Sequence, residues 1–247
     1  MNNLTLLIDA DITAYQACAG AESEIEWDTD IWTVHTDLVA AKEHFNYLVN
    51  KLKEDTKINE YKLCFSDSKN FRKEILPEYK GNRKGRKPVG YSALKEWAME
   101  THPSFYKPRL EADDCLGILA TKYSGKTVIA SMDKDLLSVP GIMYKMTQDG
   151  KGEMVTVSDK EADLQFLTQA LTGDATDNYK GCLGIGPKRA EALFNSKGAV
   201  WKTVEDAYLA AGQTKEDALI NARCARILRA SDWDFDKDEL ILWTPTK

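Results

Sequence analysis

EADDCLGILATKYSGKTVIASMDKD, residues 111–135, sets out a helix, a strand and two groups of carboxylates in that order. Glu111 to Tyr123 has helical spacing, and Lys126 to Ser131 is a short apolar run that reads as a strand. The strand runs directly into Asp133 and Asp135. The same succession recurs outward along the chain. Leu4 to Ile8 ends in Asp9 and is followed by a helix from Ile12 to Ala19. Leu38, Phe45, Leu48, Val49 and Leu52 recur at helical spacing, and a strand from Tyr61 to Phe65 precedes Asp67. Strands alternating with helices imply an α/β sheet, and in an open sheet of this kind ligands bind in the crevice beyond the carboxyl ends of the strands. A hairpin is expected at 143–157, with its turn at Gln148 to Gly152. From Asp159 onward the pattern is helical. The reading is therefore an α/β domain over 1–158 and an all-helical subdomain over 159–247.

The five cysteines are scattered and form no C-x-x-C pair, so neither a disulfide framework nor a zinc knuckle is implied. No stretch approaches the ~20 apolar residues of a membrane span, and MNNLTLLIDAD lacks a basic export signal. A cytoplasmic setting is expected. The acidic segment from Glu22 to Asp30, which carries Trp27, has no assigned chemistry. Net charge is −6, which at face value argues against a polyanionic partner. Yet Arg72 to Pro88 holds seven basic and two acidic residues, a balance of +5. Such a run is a solvated face or a nucleic-acid contact.

Nine carboxylates fall where strands end or helices begin: Asp9, Asp67, Glu111, Asp113, Asp114, Asp133, Asp135, Asp174 and Asp177. Asp133 and Asp135 share one face if their backbone is extended. Glu111 and Asp113 converge only if Glu111 precedes the first helical turn. Asp174 and Asp177 can share a helical or turn face. Like charges ~4 Å apart repel by ~4 kcal/mol per pair at an effective dielectric near 20, so the cluster requires cations. Oxygen-only ligands select Mg²⁺ or Mn²⁺ over zinc. With these nine neutralised, 30 acidic residues remain against 33 basic ones, and a polyanion is no longer excluded. Farther on, GIGPKR at 184–189 combines Gly184 and Gly186 in a tight hairpin, Pro187 at a helix start, and Lys188 and Arg189 beside it. Backbone amides and basic side chains at a helix N-terminus cradle phosphates. Ile185, Ala190, Leu193 and Phe194 are expected to pack the hairpin between helices.

Asp9 after its strand, EYKGNR at 78–83, EADD at 111–114, DKD at 133–135, GDATDN at 173–178 and GIGPKR together resemble, in order, the flap endonuclease and 5′-exonuclease family. FSDS at 65–68, NFRKE at 70–74, KPVGY at 87–91 and ARILR at 225–229 further resemble the 5′→3′ exonucleases of short-tailed phages. The resemblance implies a PIN-like, Rossmann-like, mainly parallel sheet flanked by helices, with a helix-three-turn-helix DNA-binding element. It implies one metal held by Asp9, Asp67, Glu111 and Asp113 with Asp114 in support, and a second held by Asp133, Asp135, Asp174 and Asp177. Lys80 and Arg83 match the family's contacts to the scissile phosphate. DNA contacts are expected from Arg72, Lys73, Lys84, Arg86, Lys87, Gly184, Gly186, Lys188 and Arg189, and a K⁺ ion around Gly181 to Gly186. The implied substrates are duplex DNA with a 5′ end or 5′ flap and RNA in RNA–DNA hybrids, cut by a monomer to 5′-phosphorylated products in phage replication, primer removal or recombination. One metal would activate water and the other would stabilise the leaving oxygen. Tyr79 or Tyr91 would stack a freed base or simply pack. The short stretch from Lys80 to Glu111 implies an open, partly disordered clamp rather than a closed arch. LLIDADIT at 6–13 also resembles haloacid-dehalogenase-like phosphatases, with Asp9 as nucleophile and Asp11 as acid/base. A DNA-binding protein without cleavage and a single-stranded RNase of the PIN class are the remaining alternatives.

Overall fold

The computed structural model describes residues 4–147 and 151–245. β1 (Thr5–Asp9) leads into α1 (Ala10–Gly20), and a ribbon of β2 (Glu22–Asp28) and β3 (Ile31–Thr36) follows. Then come α2 (Leu38–Thr56), β4 (Glu60–Cys64), the single-turn α3 (Arg72–Ile75), α4 (Tyr91–Thr101) and β5 (Ser104–Phe105). α5 (Ala112–Lys122) and β6 (Thr127–Ser131) precede a 3₁₀ turn at Lys134–Ser138, β7 (Gly141–Met146) and β8 (Gly152–Val157). The remainder comprises α6 (Asp159–Thr172), α7 (Pro187–Lys197), α8 (Trp201–Ala210), α9 (Lys215–Ala225), a second 3₁₀ turn at Ala230–Asp232, and a small pair, β9 (Trp233–Asp234) and β10 (Glu239–Leu240).

The main sheet has the order β5-β4-β1-β6-β7-β8, with β8 alone antiparallel to its neighbour. The chain builds outward from β1 to β4 and β5, then returns to lay β6 on the other side of β1. This reversal opens a crevice at the carboxyl ends of β1 and β6. Alternate strand residues face opposite layers. Leu6, Ile8, Leu63, Val128 and Ala130 pack against α1, α2 and α4, while Leu7, Cys64, Ile129 and Met143 pack against α5. Burial on both faces explains why these strands read as continuous apolar runs. Phe166, Leu171, Phe194, Tyr208 and Ala222 centre a third core among α6 to α9, which Tyr79 enters from the basic segment.

Two expectations need correction, and one segment left without an assignment takes a definite form. The region after 158 is helical only to Ala225. Beyond it Ile227, Leu228 and Trp233 return to the core beneath the sheet, and β9 pairs with β10. The acidic segment forms a β-ribbon because Ile25, Trp27, Trp32, Thr33 and Val34 give it strand character, with Glu22 opposite Thr36 and Ile25 opposite Thr33. Between Lys80 and Glu111, α4 and β5 supply regular structure, and irregular chain is confined to the stretch before α4 and to its connections. The β7–β8 hairpin forms in the expected place, with Met143 opposite Val155. The expected turn residues Gln148, Asp149 and Gly150 lie outside the described residues. All five cysteines are free and buried. Among the described residues no helix is long and apolar enough to cross a membrane.

Candidate functional site: a carboxylate cleft beside a basic strap

Asp9 ends β1 and caps α1, accepting the Ile12 amide at 3.4 Å. Its other oxygen accepts the Ser131 hydroxyl at 2.9 Å, which ties the end of β1 to the end of β6. Ser131 Oγ also accepts the Asp133 amide at 3.1 Å, and Asp133 accepts the Asp135 amide at 2.8 Å. Asp133 and Asp135 therefore enter the site from a capped 3₁₀ turn, not from the extended chain that would have placed them on one strand face. Glu111 is extended (φ −84°, ψ 162°) immediately before α5, the condition for converging with Asp113.

Asp174 and Asp177 are delivered by a turn with a glycine neck. Gly173 and Gly181 have φ of +67° and +69°, and a Cβ on Gly181 would lie 2.3 Å from the Gly173 nitrogen. Only glycine permits both that approach and that conformation. Paired amide bonds of 2.9 and 3.1 Å between Asp174 and Tyr179 close the turn. Asp174 Oδ1 accepts the Thr176 amide at 2.6 Å. The carbonyl of Asp177 accepts the Lys80 amide at 2.8 Å, joining this turn to the basic segment.

These elements enclose a polar cleft of about 150 Å³ lined by Lys80, Arg83, Glu111, Asp113, Asp133, Asp135, Asp174 and Asp177. Burial, then Asp11, raise the Asp9 carboxyl to about 7. Burial, then Asp133 and Asp174, raise Asp135 to about 6. Asp113 is pushed well above the usual carboxylate range by burial, Asp9 and Asp133. Burial also works to raise Glu111, but Arg72 and Lys80 outweigh it and hold the group at about 2. The Lys80 ammonium is raised in turn, because Glu111 and Asp177 overcome the effect of burial.

The donor chemistry fits divalent cations: every candidate ligand is an oxygen, and Asp135 Oδ1 is buried with no partner among the described residues. As the side chains stand, no group of three or more His, Cys, Asp or Glu among the described residues is drawn together tightly enough to grip an ion. Instead Lys80 pairs with Glu111 and lies 3.4 Å from Asp177, while Arg83 meets Asp177 at 2.6 Å.

A pH dependence follows for the metal-free protein. Asp9 keeps its proton to about pH 7 when folded but releases it near 3.8 when unfolded, and Asp135 behaves alike to about pH 6. Folding must therefore hold these protons, or accept the repulsion, as pH rises. The urea midpoint of chelator-treated protein is expected to fall between about pH 4 and pH 7, a window above that in which Glu111 and Asp67, both near 2, protonate. A midpoint that stays level or climbs across this range would contradict the electrostatics.

The site departs from expectation at several residues. Arg72 is 2% exposed and unable to meet DNA. It binds both oxygens of Asp114 at 2.8 and 2.7 Å and donates to the Cys224 and Arg226 carbonyls. Asp114 is wholly buried and also accepts the Glu111 and Leu228 amides, so its oxygens are committed to the fold and not to a metal. Asp67 lines an adjoining hollow with Lys73, Lys80 and Lys87, and its carboxylate accepts from Tyr106 Oη, the Arg109 amide and Ser68. Tyr79 and Tyr91 are buried and do not offer faces for stacking. The Tyr79 hydroxyl sits 3.1 Å from Glu111 and 2.8 Å from Asp177, and Tyr91 donates to Asp11 at 2.7 Å. Ser131 and Tyr79's bridging position were not legible as site features, because each acts through a partner distant in the chain; Asp11, read only as the acid/base of the phosphatase alternative, instead accepts from Ser66 and Tyr91. Among the basic candidates Lys73, Arg83, Lys84, Arg86, Lys87, Lys188 and Arg189 are exposed, and of these Arg86 forks onto Glu22 and Glu24. Gly184 adopts φ +74° and Gly186 caps α7, whose first residue is Pro187 as expected. Arg189 folds back onto the Gly184 carbonyl at 2.7 Å, and Gln213 donates to the Gly181 carbonyl at 3.4 Å, so an ion there would share two of its oxygens.

Comparison with known proteins identifies relatives and a shared fold. The "Exonuclease" of Escherichia phage T7 is 30% identical over 97% of this chain and 93% of its own length. The "Exodeoxyribonuclease" of Enterobacteria phage T3 is also 30% identical, over 97% and 92%. Among solved structures, a T5 protein co-crystallised with metal ions superposes with a TM-score of 0.63 at 18% identity, covering 90% of this chain and 89% of that one, which shows a shared fold. Residues 4–166 match the family model described as the 5′-3′ exonuclease N-terminal resolvase-like domain, and the chain belongs to that family.

Proposed function

We propose that the chain is a 5′ nuclease that hydrolyses phosphodiesters of duplex DNA from 5′ ends, with divalent metal ions held in the carboxylate cleft. The observation that carries the reading is the convergence of Asp9, Asp113, Glu111, Asp133, Asp135, Asp174 and Asp177, from four separate segments, beside Lys80 and Arg83. Asp9, Glu111 and Asp113 would hold one Mg²⁺ or Mn²⁺ ion and Asp133, Asp135, Asp174 and Asp177 a second, and the pair would supply Lewis acidity towards water and the leaving oxygen. Lys80 and Arg83 exchange their carboxylate partners for the scissile phosphate and neutralise charge growing on it. The Tyr79 hydroxyl lies within hydrogen-bond reach of both Glu111 and Asp177 and has one proton to give to either as this exchange takes place. Ser131 orients Asp9. The chain acts as a monomer, and its further substrates are 5′ flaps and RNA in hybrids. The assay is product mapping on 5′-labelled blunt, flapped and hybrid duplexes with Mg²⁺. Release of 5′-phosphorylated mono- or short oligonucleotides is expected, and an undigested duplex would refute the reading.

The hairpin before α7 supplies a second DNA-binding surface. Ala190 and Phe194 are buried and Ile185 packs beside them, which leaves Lys188 exposed at the helix start. The double variant Lys188→Ala, Arg189→Ala is expected to weaken DNA binding for all sequences. Its log–log salt slope should become shallower by about 1 to 2, near 0.9 for each phosphate that is no longer neutralised. An unchanged slope would remove this hairpin from the DNA-binding surface.

A further inference from the structure

The basic stretch from Lys80 to Gly90 is tied down at both ends by groups outside it. At its start the Lys80 amide donates to the Asp177 carbonyl at 2.8 Å and Asn82 Nδ2 to the Ala175 carbonyl at 2.8 Å. At its end Glu22 takes three donors: Arg86 Nη1 at 3.0 Å, Arg86 Nη2 at 2.8 Å and the Val89 amide at 2.8 Å. Thr36, directly opposite Glu22 in the ribbon, accepts the Gly90 amide at 2.9 Å. The approach is close, since a Cβ on Gly90 would lie 2.6 Å from Thr36 Cγ2. Between the two anchorages Lys84 and Lys87 stand exposed.

Arg86 is thus placed differently from its basic neighbours. The ribbon over residues 22–36 carries Glu22, Glu24, Glu26, Asp28 and Asp30 and no lysine or arginine. A phosphate approaching Arg86 would meet that acidic surface, and Glu24 adds a further bond to Arg86 Nη2 at 3.2 Å. A bidentate carboxylate pair holds a guanidinium in one geometry. We infer that the base of the β2–β3 ribbon is an anchor for the DNA-binding strap, with Glu22 as a positioning residue and Arg86 as its counterpart, not a phosphate contact. The inference rests on the reading of the chain as a 5′ nuclease. Glu22 touches no substrate; it acts by fixing where Lys84 and Lys87 stand relative to the cleft.

The test compares Glu22→Gln, Arg86→Gln and the double variant, using steady-state cleavage of a 5′-ended duplex with Mg²⁺. Breaking an exposed bidentate pair should raise KM about twofold to fivefold and leave kcat within about twofold of wild type. The double variant should show no larger rise in KM than the single variants, since all three remove the same pair. An unchanged KM in Glu22→Gln would overturn the inference. So would a rise in the double variant equal to the product of the single rises with a shallower salt dependence in Arg86→Gln, because Arg86 would then be touching phosphate. Equal falls in kcat and in melting temperature would reduce Glu22 to a general structural role and also overturn it. Failure of the wild-type protein to cleave would instead fault the nuclease reading, so the two failures are distinguishable.

Discussion

Asp133→Asn is expected to lower Mg²⁺-dependent cleavage about a thousandfold or more while leaving duplex binding in Ca²⁺ within a few-fold of wild type. Asparagine keeps an oxygen to accept the Asp135 amide, so the 3₁₀ turn can stay capped. What disappears is one negative charge facing Asp9, Asp113 and Asp135, each of whose carboxyls Asp133 pushes upward. A bound divalent ion contributes several kcal/mol of transition-state charge stabilisation, and each 1.36 kcal/mol is about tenfold in rate. The same substitution should raise the melting temperature of the chelator-treated protein, because it relieves repulsion that only a cation otherwise offsets. Loss of binding in step with cleavage would make Asp133 a folding residue. Retained cleavage would end the assignment of the cleft as the catalytic centre.

Arg72→Ala is expected to destabilise the fold by about 3–5 kcal/mol, the usual result of leaving a buried charge without its partner. Asp114 would be stranded at full burial, and the carbonyls of Cys224 and Arg226 would be left without their donor. For a chain of this length that corresponds to a fall in melting temperature of about 6–20 °C. The effect should be independent of salt, unlike that of removing a group bound to phosphate. Normal stability combined with weak, salt-sensitive DNA binding would return Arg72 to the DNA surface and refute the geometry. Arg72 joins α3, the start of α5 and the segment after α9, so its removal loosens the floor of the cleft as well as the core.

Much of the α/β half is legible in the chain because its strands are buried on both faces. Leu4 to Ile8 and Lys126 to Ser131 are largely apolar, and a carboxylate follows each within two residues. The ribbon at 22–36 is not legible in the same way. It is exposed on both faces, so no burial pattern marks its strands, and its acidic residues hid the alternation. The return of Ile227, Leu228 and Trp233 to the sheet was equally hidden, since three apolar residues after a helix do not say which core they enter.

The carboxylate site divides along the same line. Sequence alone determined that Asp9, Asp67, Asp133 and Asp135 follow short strands and that Glu111 and Asp113 stand at a helix start, because those positions follow from local periodicity and punctuation; that Glu111 precedes α5 and that Asp174 and Asp177 lie in a turn came from the structure. Sequence also raised the need for compensating positive charge, since that depends on charge and not on direction, and the structure places Lys80 and Arg83 against Glu111 and Asp177. Tertiary structure alone decided which charged groups face the cleft and which are consumed by the fold. Arg72 and Asp114 belong to the same runs as Lys80 and Asp113, yet they pair with each other in the interior. The reason is that burial and pairing are set by groups distant in the chain, here Cys224, Arg226 and Leu228, whose approach no local pattern encodes.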